Sequence, residues 1–392
     1  MSYKIVGFLC YIRTTSNIIA CLLCISTIAI FMNLLITMNW FKTKSISVIG
    51  MKMESQRSRD SLLILAWTPI CNSSGWEEGD LRAPRCRLDP GVHCEFRREQ
   101  PSLYNLSHAV MFTGHYVEGP KRLYLLPGDP RPKGQKWIFY MNESPINQAI
   151  SKPYYSWIYN ITSTYMMHSD VKSALCSNFL TSITKPCRLS PTWNSSRTEM
   201  VKKVRQKTEL VAWFAGHCST KGGREDYINE LSKHIKIDIY GGCGTLECKR
   251  KFPADYEHCD LMLDRKYKFY LSFENSLCKD YVTEKLFRMF KKDVVPIVRG
   301  AANYSRFMPQ GTYIDVKDFD TPKDLANFLQ MLNKREDLYL DYLLKKETMT
   351  CVDEEPYLCR LCRHLHANRH KTERVDLFKF WNQSLCHFQG VR

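Results

Sequence analysis

Several familiar signatures are missing from this 392-residue chain, and each absence removes a class of function. The net charge of +16 would suit a nucleic-acid binder, but the positive residues are spread along the chain. No zinc-finger, homeodomain or RNP-like pattern goes with them, so nucleic acid is not an expected partner. Gly222 and Gly223 are not followed by Lys-Ser or Lys-Thr, which excludes a P-loop. Cys359 and Cys362 form a C-x-x-C with His364, His366 and His370 behind it, yet the second cysteine pair of a zinc ribbon is absent. Cys351 and Cys386 stand nearby as disulfide partners, and a thioredoxin-like pair would follow a first strand rather than lie near the C-terminus. Charge is also missing from Ile18–Met38, an apolar run about as long as a bilayer-spanning helix requires. No small-x-small cleavage site follows, so the run reads as an uncleaved anchor.

What is plentiful agrees with a lumenal domain beyond that anchor. Fourteen of the seventeen cysteines lie past it, where an oxidising compartment would pair them. Seven N-x-S/T sequons follow as well, at Asn72, Asn105, Asn142, Asn160, Asn194, Asn303 and Asn382. The fold is expected to block Asn142 and Asn160. Residues 39–60 are polar and basic, a stem. Short apolar strands then alternate with helical and Gly/Pro-rich segments, the pattern of an α/β protein. A polar, basic stretch at 196–208 reads as a hinge between two halves, 61–195 and 209–350. A Cys-rich tail, 351–392, closes the chain.

The stretch Tyr267–Lys291 organises the rest. Tyr267, Phe269, Leu271 and Phe273 alternate as on a strand, and Glu274-Asn275-Ser276 breaks the pattern. From Asp280, read as an N-cap, Val282, Leu286, Met289 and Phe290 keep helical spacing. The opposite stripe is Tyr281, Glu284, Lys285 and Arg288. By pattern alone that stripe is a solvated helix face; a strand end feeding a cationic helix start also suits a diphosphate. Upstream, Gln135–Pro145 places Glu143 just past a strand, where a lone carboxylate would ordinarily cap a loop. Leu210–His217, a glycine loop and Arg224 opening a helix repeat the strand–loop–helix order. Arg224 by itself is a solvated helix start.

FYLSFENSLCKDYVTEK, residues 269–285, resembles the signature of the GDP-fucose-dependent α1,3/4-fucosyltransferases over seventeen nearly unbroken positions. The likeness extends from about Leu62 to Cys362, densest in the second half. It implies a GT-B type α/β fold: two Rossmann-like domains facing a cleft, preceded by an N-terminal transmembrane helix and stem. The chain then divides into a cytoplasmic tail (1–17), a signal anchor (18–38), the stem (39–60) and an acceptor-binding domain (61–195). After the hinge comes a GDP-fucose-binding domain (209–350). The expected location is the Golgi membrane, single-pass type II, with the catalytic part lumenal.

The resemblance also assigns roles. Glu143 becomes the base that deprotonates the acceptor hydroxyl, and transfer inverts the anomeric centre. Arg224 and Lys285 stabilise charge on the departing diphosphate, Asn275 and Tyr281 hold phosphate or ribose, and Glu284 orients the ribose or Lys285. Ser169-Asp170 matches a family pair, but Met166, Met167 and His168 replace the usual basic residues before it, so no contact is assigned there. No metal is required, although stimulation by Mn²⁺ stays open; Asp318-Phe319-Asp320 reads as capping before Thr321. Val211–Arg250, with its Cys243–Cys248 element, is most similar to invertebrate enzymes that fucosylate the innermost GlcNAc of N-glycans. Lewis-type transfer to N-acetyllactosamine-like termini is the alternative acceptor reading. A membrane-anchored glycan or nucleotide-sugar binder without turnover is the alternative class.

Overall fold

The computed structural model describes residues 61–70, 78–81, 86, 88–117, 126–127, 130–150, 157–173, 187–190, 197–248, 257–351 and 355–387. The anchor, the stem, Cys71 and the sequons at Asn72 and Asn194 lie outside them. Among the described residues no helix is long and apolar enough to cross a membrane.

The strands are β1 (Ser61–Ala66), β2 (Gly79–Asp80), β3 (His93–Arg98), β4 (Ala109–Thr113), β5 (Lys136–Met141), β6 (Ile161–Thr164), β7 (Arg188–Leu189), β8 (Glu209–Phe214), β9 (Ile237–Tyr240), β10 (Tyr267–Phe273), β11 (Val295–Arg299), β12 (Ile314–Asp315) and β13 (Met349–Thr350). The helices that matter here are α1 (Arg197–Arg205), α2 (Arg224–Ser232), α3 (Glu257–Lys266), α4 (Glu284–Phe287), α5 (Pro322–Lys334), α6 (Glu336–Glu347), α7 (Tyr357–Ala367) and α8 (Leu377–Phe380).

Two larger sheets result. The first runs β2-β3-β1-β4-β5-β6, and the second β12-β11-β10-β8-β9. From β1 through β6 the pairings are parallel, with β2–β3 antiparallel at one edge. The second sheet is parallel throughout. Parallel sheets are covered on both faces, so their inner strands need continuous apolar runs rather than alternation. SLLILA in β1 and KWIFYM in β5 meet that demand, and β5 is buried at every position. β10, central in its sheet, is buried on both faces, so the alternation read from the sequence describes only half of its packing.

Three segments depart from the sequence reading. Residues 71–101 contain β2 and β3, not loop alone; Cys94 and Phe96 are buried between partly exposed neighbours, the pattern of a strand with one wet face. The supposed hinge holds α1, whose Met200 and Val204 are buried in the core of the second sheet. Two buried residues in nine are too few to show as a stripe.

The C-terminal segment is not a separate tail. In α7, Tyr357, Leu358, Cys359, Leu361, Cys362 and Leu365 are buried in the same core as β1, β4 and β5. Disulfides Cys86–Cys359 and Cys94–Cys362 hold that helix to the first sheet. Cys351 pairs instead with Cys187, and Cys386 with Cys278. Cys218–Cys243 and Cys248–Cys259 complete the pairs among the described residues. Each such bond stabilises by roughly 2–4 kcal/mol, chiefly through the unfolded chain.

Candidate functional site

Because the strands run parallel, the loops leaving β5, β6, β8, β10 and β11 all emerge at carboxyl edges, where α/β sheets build their sites. The loop after β10 carries the first group of candidate side chains. Glu274 is fully buried, and its carboxylate accepts from the Thr283 backbone N–H (2.8 Å) and hydroxyl (2.8 Å). Lys285 Nζ lies 3.3 Å from Glu274, donates to Thr283 Oγ1 (2.7 Å) and sits 3.2 Å from Glu284. Burial pushes the Glu274 carboxyl up against the opposing pull of Lys285. For Lys285, burial opposes the charge, and Glu274 and Glu284 together outweigh it, holding the ammonium above its ordinary value. Glu284 is held below the usual carboxylate range, Lys285 overcoming the effect of burial. Lys285 is therefore a fixed, charged ammonium.

The helix here is shorter than its pattern. Thr283 is the N-cap and α4 covers one turn, while Asp280 has a left-handed backbone (φ 62°) and accepts from the Met167 N–H (3.3 Å). A short polar side chain tolerates that conformation. The stripe opposite the apolar positions is not solvated either. Tyr281 and Arg288 are buried, and Arg288 pairs with the buried Asp260 of α3 through Nε at 3.2 Å and a second, closer contact.

Arg224 sits at the ends of two strands. It is buried, donates to the carbonyls of His217 (3.0 Å) and Phe273 (3.1 Å), and pairs with Glu225 (3.0 Å). These bonds use three of its five N–H donors. Its charge acts on Lys285, so the two cations share one locality. A third cation was missed from the sequence. Arg299 ends β11 beside Phe273 in register, is buried, and donates to the Gly222 carbonyl (2.6 Å). The available signal was a charged residue closing an otherwise apolar strand.

Gly222 allows a close approach of two loops. A Cβ there would come within 2.9 Å of the Asn275 carbonyl oxygen, which already accepts from the Gly222 N–H (2.8 Å). The missing side chain lets this loop close on the β10 loop.

The first sheet supplies Glu143, just beyond β5. Its Oε1 accepts from the Ser144 N–H (2.9 Å), Asn147 Nδ2 (3.2 Å) and the Tyr281 hydroxyl (2.6 Å). Asn275 Nδ2 approaches the same oxygen at 3.5 Å. The two halves also join through Ser144 and Ser276, whose hydroxyls are 2.7 Å apart, and through Asn147 on Ser276 (3.1 Å). Glu143, Asn275 and Tyr281 thus meet in one seam, with Glu284 and Lys285 a few residues away along the β10 loop. The Tyr281 hydroxyl, which the sequence reading assigns to phosphate or ribose, donates here to Glu143. Glu274, Thr283, Asn147 and Arg299 were not anticipated.

Two motifs with metal-like spacing have other surroundings among the described residues. Asp318 and Asp320 are exposed, and the cap of α5 is Thr321 with Asp324, not the D-x-D. Cys94, Cys362 and His366 lie close together, but the two sulfurs are joined to each other.

Comparison with known proteins follows the same division. A family described as "Glycosyltransferase family 10 (fucosyltransferase) C-term" matches residues 204–381, and "Fucosyltransferase, N-terminal" matches 59–175. "Alpha-(1,3)-fucosyltransferase C" of Drosophila melanogaster is 33% identical over 344 residues, 83% of this chain and 79% of that protein. "Glycoprotein 3-alpha-L-fucosyltransferase A" of the same species is 44% identical over 181 residues, 45% of this chain and 35% of that one. "4-Galactosyl-N-acetylglucosaminide 3-alpha-L-fucosyltransferase 9" of Mus musculus is 34% identical over 288 residues, 72% and 73%. A crystal structure of an α1,3-fucosyltransferase superposes with a TM-score of 0.50 at 14% identity, over 82% of this chain and 93% of that one. At that identity the likeness is one of fold.

Proposed function

The chain belongs to glycosyltransferase family 10, the fucosyltransferases, and on that premise we propose that it is an inverting α1,3-fucosyltransferase of GT-B type. The donor is GDP-β-L-fucose and the acceptor the 3-hydroxyl of GlcNAc, the innermost GlcNAc of N-glycans. The observation that carries the reading is Glu143 in the seam, bonded to the loop that holds Lys285. In the reaction the acceptor oxygen attacks C1 of fucose while Glu143 takes its proton. The C1–O bond to phosphate breaks, and the electron pair leaves on GDP. Arg224, Lys285 and Arg299 offset the growing diphosphate charge in a site largely closed to water, where fixed charges act strongly. With three cations at hand the scheme requires no metal.

Core transfer is favoured by the higher identity to the fly glycoprotein 3-α-L-fucosyltransferase, which lies in a shorter stretch. Lewis-type transfer is the second reading, supported by the broader match to the mouse relative. The test incubates the full-length chain, in microsomes from a eukaryotic host, with GDP-fucose, a paucimannose N-glycopeptide and N-acetyllactosamine. Fucose on the innermost GlcNAc, located by mass spectrometry, is expected. Fucose on the lactosamine alone would keep the enzyme class and overturn the acceptor; no transfer to either would overturn both.

The proposed setting is the Golgi membrane, type II, with this domain lumenal. Glycopeptide mapping then checks orientation and fold together. Asn105, Asn303 and Asn382 are exposed, and the latter two cap short turns through Oδ1, so that among the described residues Nδ2 stays open to carry a glycan. Asn160 Nδ2 donates to the carbonyls of Thr372 (3.1 Å) and Glu373 (2.9 Å), and Asn142 Nδ2 to Tyr140 (2.7 Å). Glycans are expected at Asn105, Asn303 and Asn382 and not at Asn142 or Asn160. Occupancy at none of the first three would count against a lumenal domain.

A further inference from the structure

The opposite end of β5 from Glu143 carries a charge of its own. Lys136 opens the strand and is buried, with 7% of its surface exposed. Among the described residues its ammonium has no ion pair and no hydrogen-bond partner. Burial, with the Arg131 guanidinium adding to it, lowers that ammonium below its ordinary value, as expected of a cation without a counter-charge. Lys136 lines a cavity of about 220 Å³ at the amino edge of the first sheet. That is less than the roughly 300–1,000 Å³ of sites for drug-sized ligands, so it suits a small group.

The wall of the cavity is fixed to its floor. Lys371, Glu373 and Arg374 form part of it, in the segment that follows α7. Asn160, at the foot of β6, donates through Nδ2 to the carbonyls of Thr372 (3.1 Å) and Glu373 (2.9 Å). The Val375 N–H reaches the Tyr159 carbonyl (2.8 Å), and Arg374 reaches that of Trp157 (3.2 Å). The charges do not cancel. Asp170 also lines the cavity, but its Oδ2 already accepts from the Thr162 N–H (2.8 Å) and hydroxyl (2.7 Å). Glu373 is exposed, and so are Asp170, Lys371 and Arg374, which leaves Lys136 as the one buried charge of the five. Burial lowers His364, so at neutral pH it adds an N–H and no charge. A buried ammonium facing a cavity without an anion is costly, and an oxyanion placed there would offset that cost.

We propose that this cavity binds a small oxyanion, a phosphate, sulfate or carboxylate group, held by Lys136 with Lys371 and Arg374. It is separate from the site proposed for transfer: at about 3.3 Å per residue, β5 puts Lys136 roughly 15–20 Å from Glu143.

Equilibrium dialysis of the full-length chain against radiolabelled sulfate, at physiological chloride, tests the site. Saturating GDP is present throughout, so that the Arg224, Lys285 and Arg299 cluster is occupied. About one sulfate per chain is expected. Lys136→Met keeps the apolar stem and removes the charge. It should weaken binding at least about tenfold, the scale of one lost charge-assisted hydrogen bond, while fucose transfer stays within about twofold. Competition by phosphate and by acetate separates the sources: stronger competition by phosphate supports a tetrahedral group, and stronger competition by acetate supports a carboxylate at the same place. Sulfate bound equally by parent and variant, or by neither, would overturn the proposal. If Lys136→Met does not fold, Lys371→Gln combined with Arg374→Gln removes the two exposed cations and must weaken binding several-fold; unchanged binding there overturns it as well. Fucose transfer is not the deciding readout, so a failure here leaves the proposed function standing.

Discussion

Glu143→Gln is expected to lower kcat by about a thousandfold, within the range for removing a general base. The amide keeps the size of the side chain but cannot take a proton. It also turns one end into a donor, which would face the Tyr281 hydroxyl or the Asn147 amide if the NH2 group replaced Oε1. Other hydrogen bonds across the seam, among them Ser144 to Ser276 and Asn147 to Ser276, do not involve this carboxylate, so the fold should hold. GDP binding should be unchanged, since the Arg224, Lys285 and Arg299 cluster is untouched. Single-turnover transfer with GDP-fucose, set beside calorimetric GDP binding, checks both parts. Activity within tenfold of the parent would exclude Glu143 as the base.

Lys285→Ala is expected to act on both catalysis and stability. One of the three cations proposed to offset the leaving-group charge is lost, and removing one such stabiliser of transition-state charge slows reactions by about a hundred- to a thousandfold. The same change leaves Glu274 fully buried without its cation, only the Thr283 groups still bonding to it. An uncompensated buried charge costs several kcal/mol or is neutralised by taking up a proton. Thermal unfolding should therefore fall by several degrees. Pairing Lys285→Met with Glu274→Gln removes both charges together and should recover most of the stability while transfer stays lost. Recovery of activity in the double variant would mean that Lys285 serves the fold and not the reaction.

The structure shows why some of this was readable and some was not. Tyr267–Phe273, Trp137–Met141 and Leu210–Phe214 are strands because continuous apolar runs of that length have no other use in a parallel sheet, and local order makes them visible. The motif around Glu274–Lys285 is likewise local, and Glu143 lies directly after its strand. The short β3 and the helix α1 were hidden because one wet face or a sparse buried face leaves little periodicity.

By itself the sequence determined the α/β class, the order of the two halves, the family likeness and the residues worth testing, since these depend on neighbours within a few positions. Only the tertiary structure decided which groups meet. The C-terminal helix returns to the first sheet through two disulfides that close loops of more than 260 residues, a pairing that no spacing encodes. Arg288 turned inward to Asp260, and the Tyr281 hydroxyl bonds Glu143, 138 residues upstream. A side chain's partner is set by packing between distant segments, where burial makes an unpaired charge or hydroxyl expensive and so selects the one arrangement that satisfies them together.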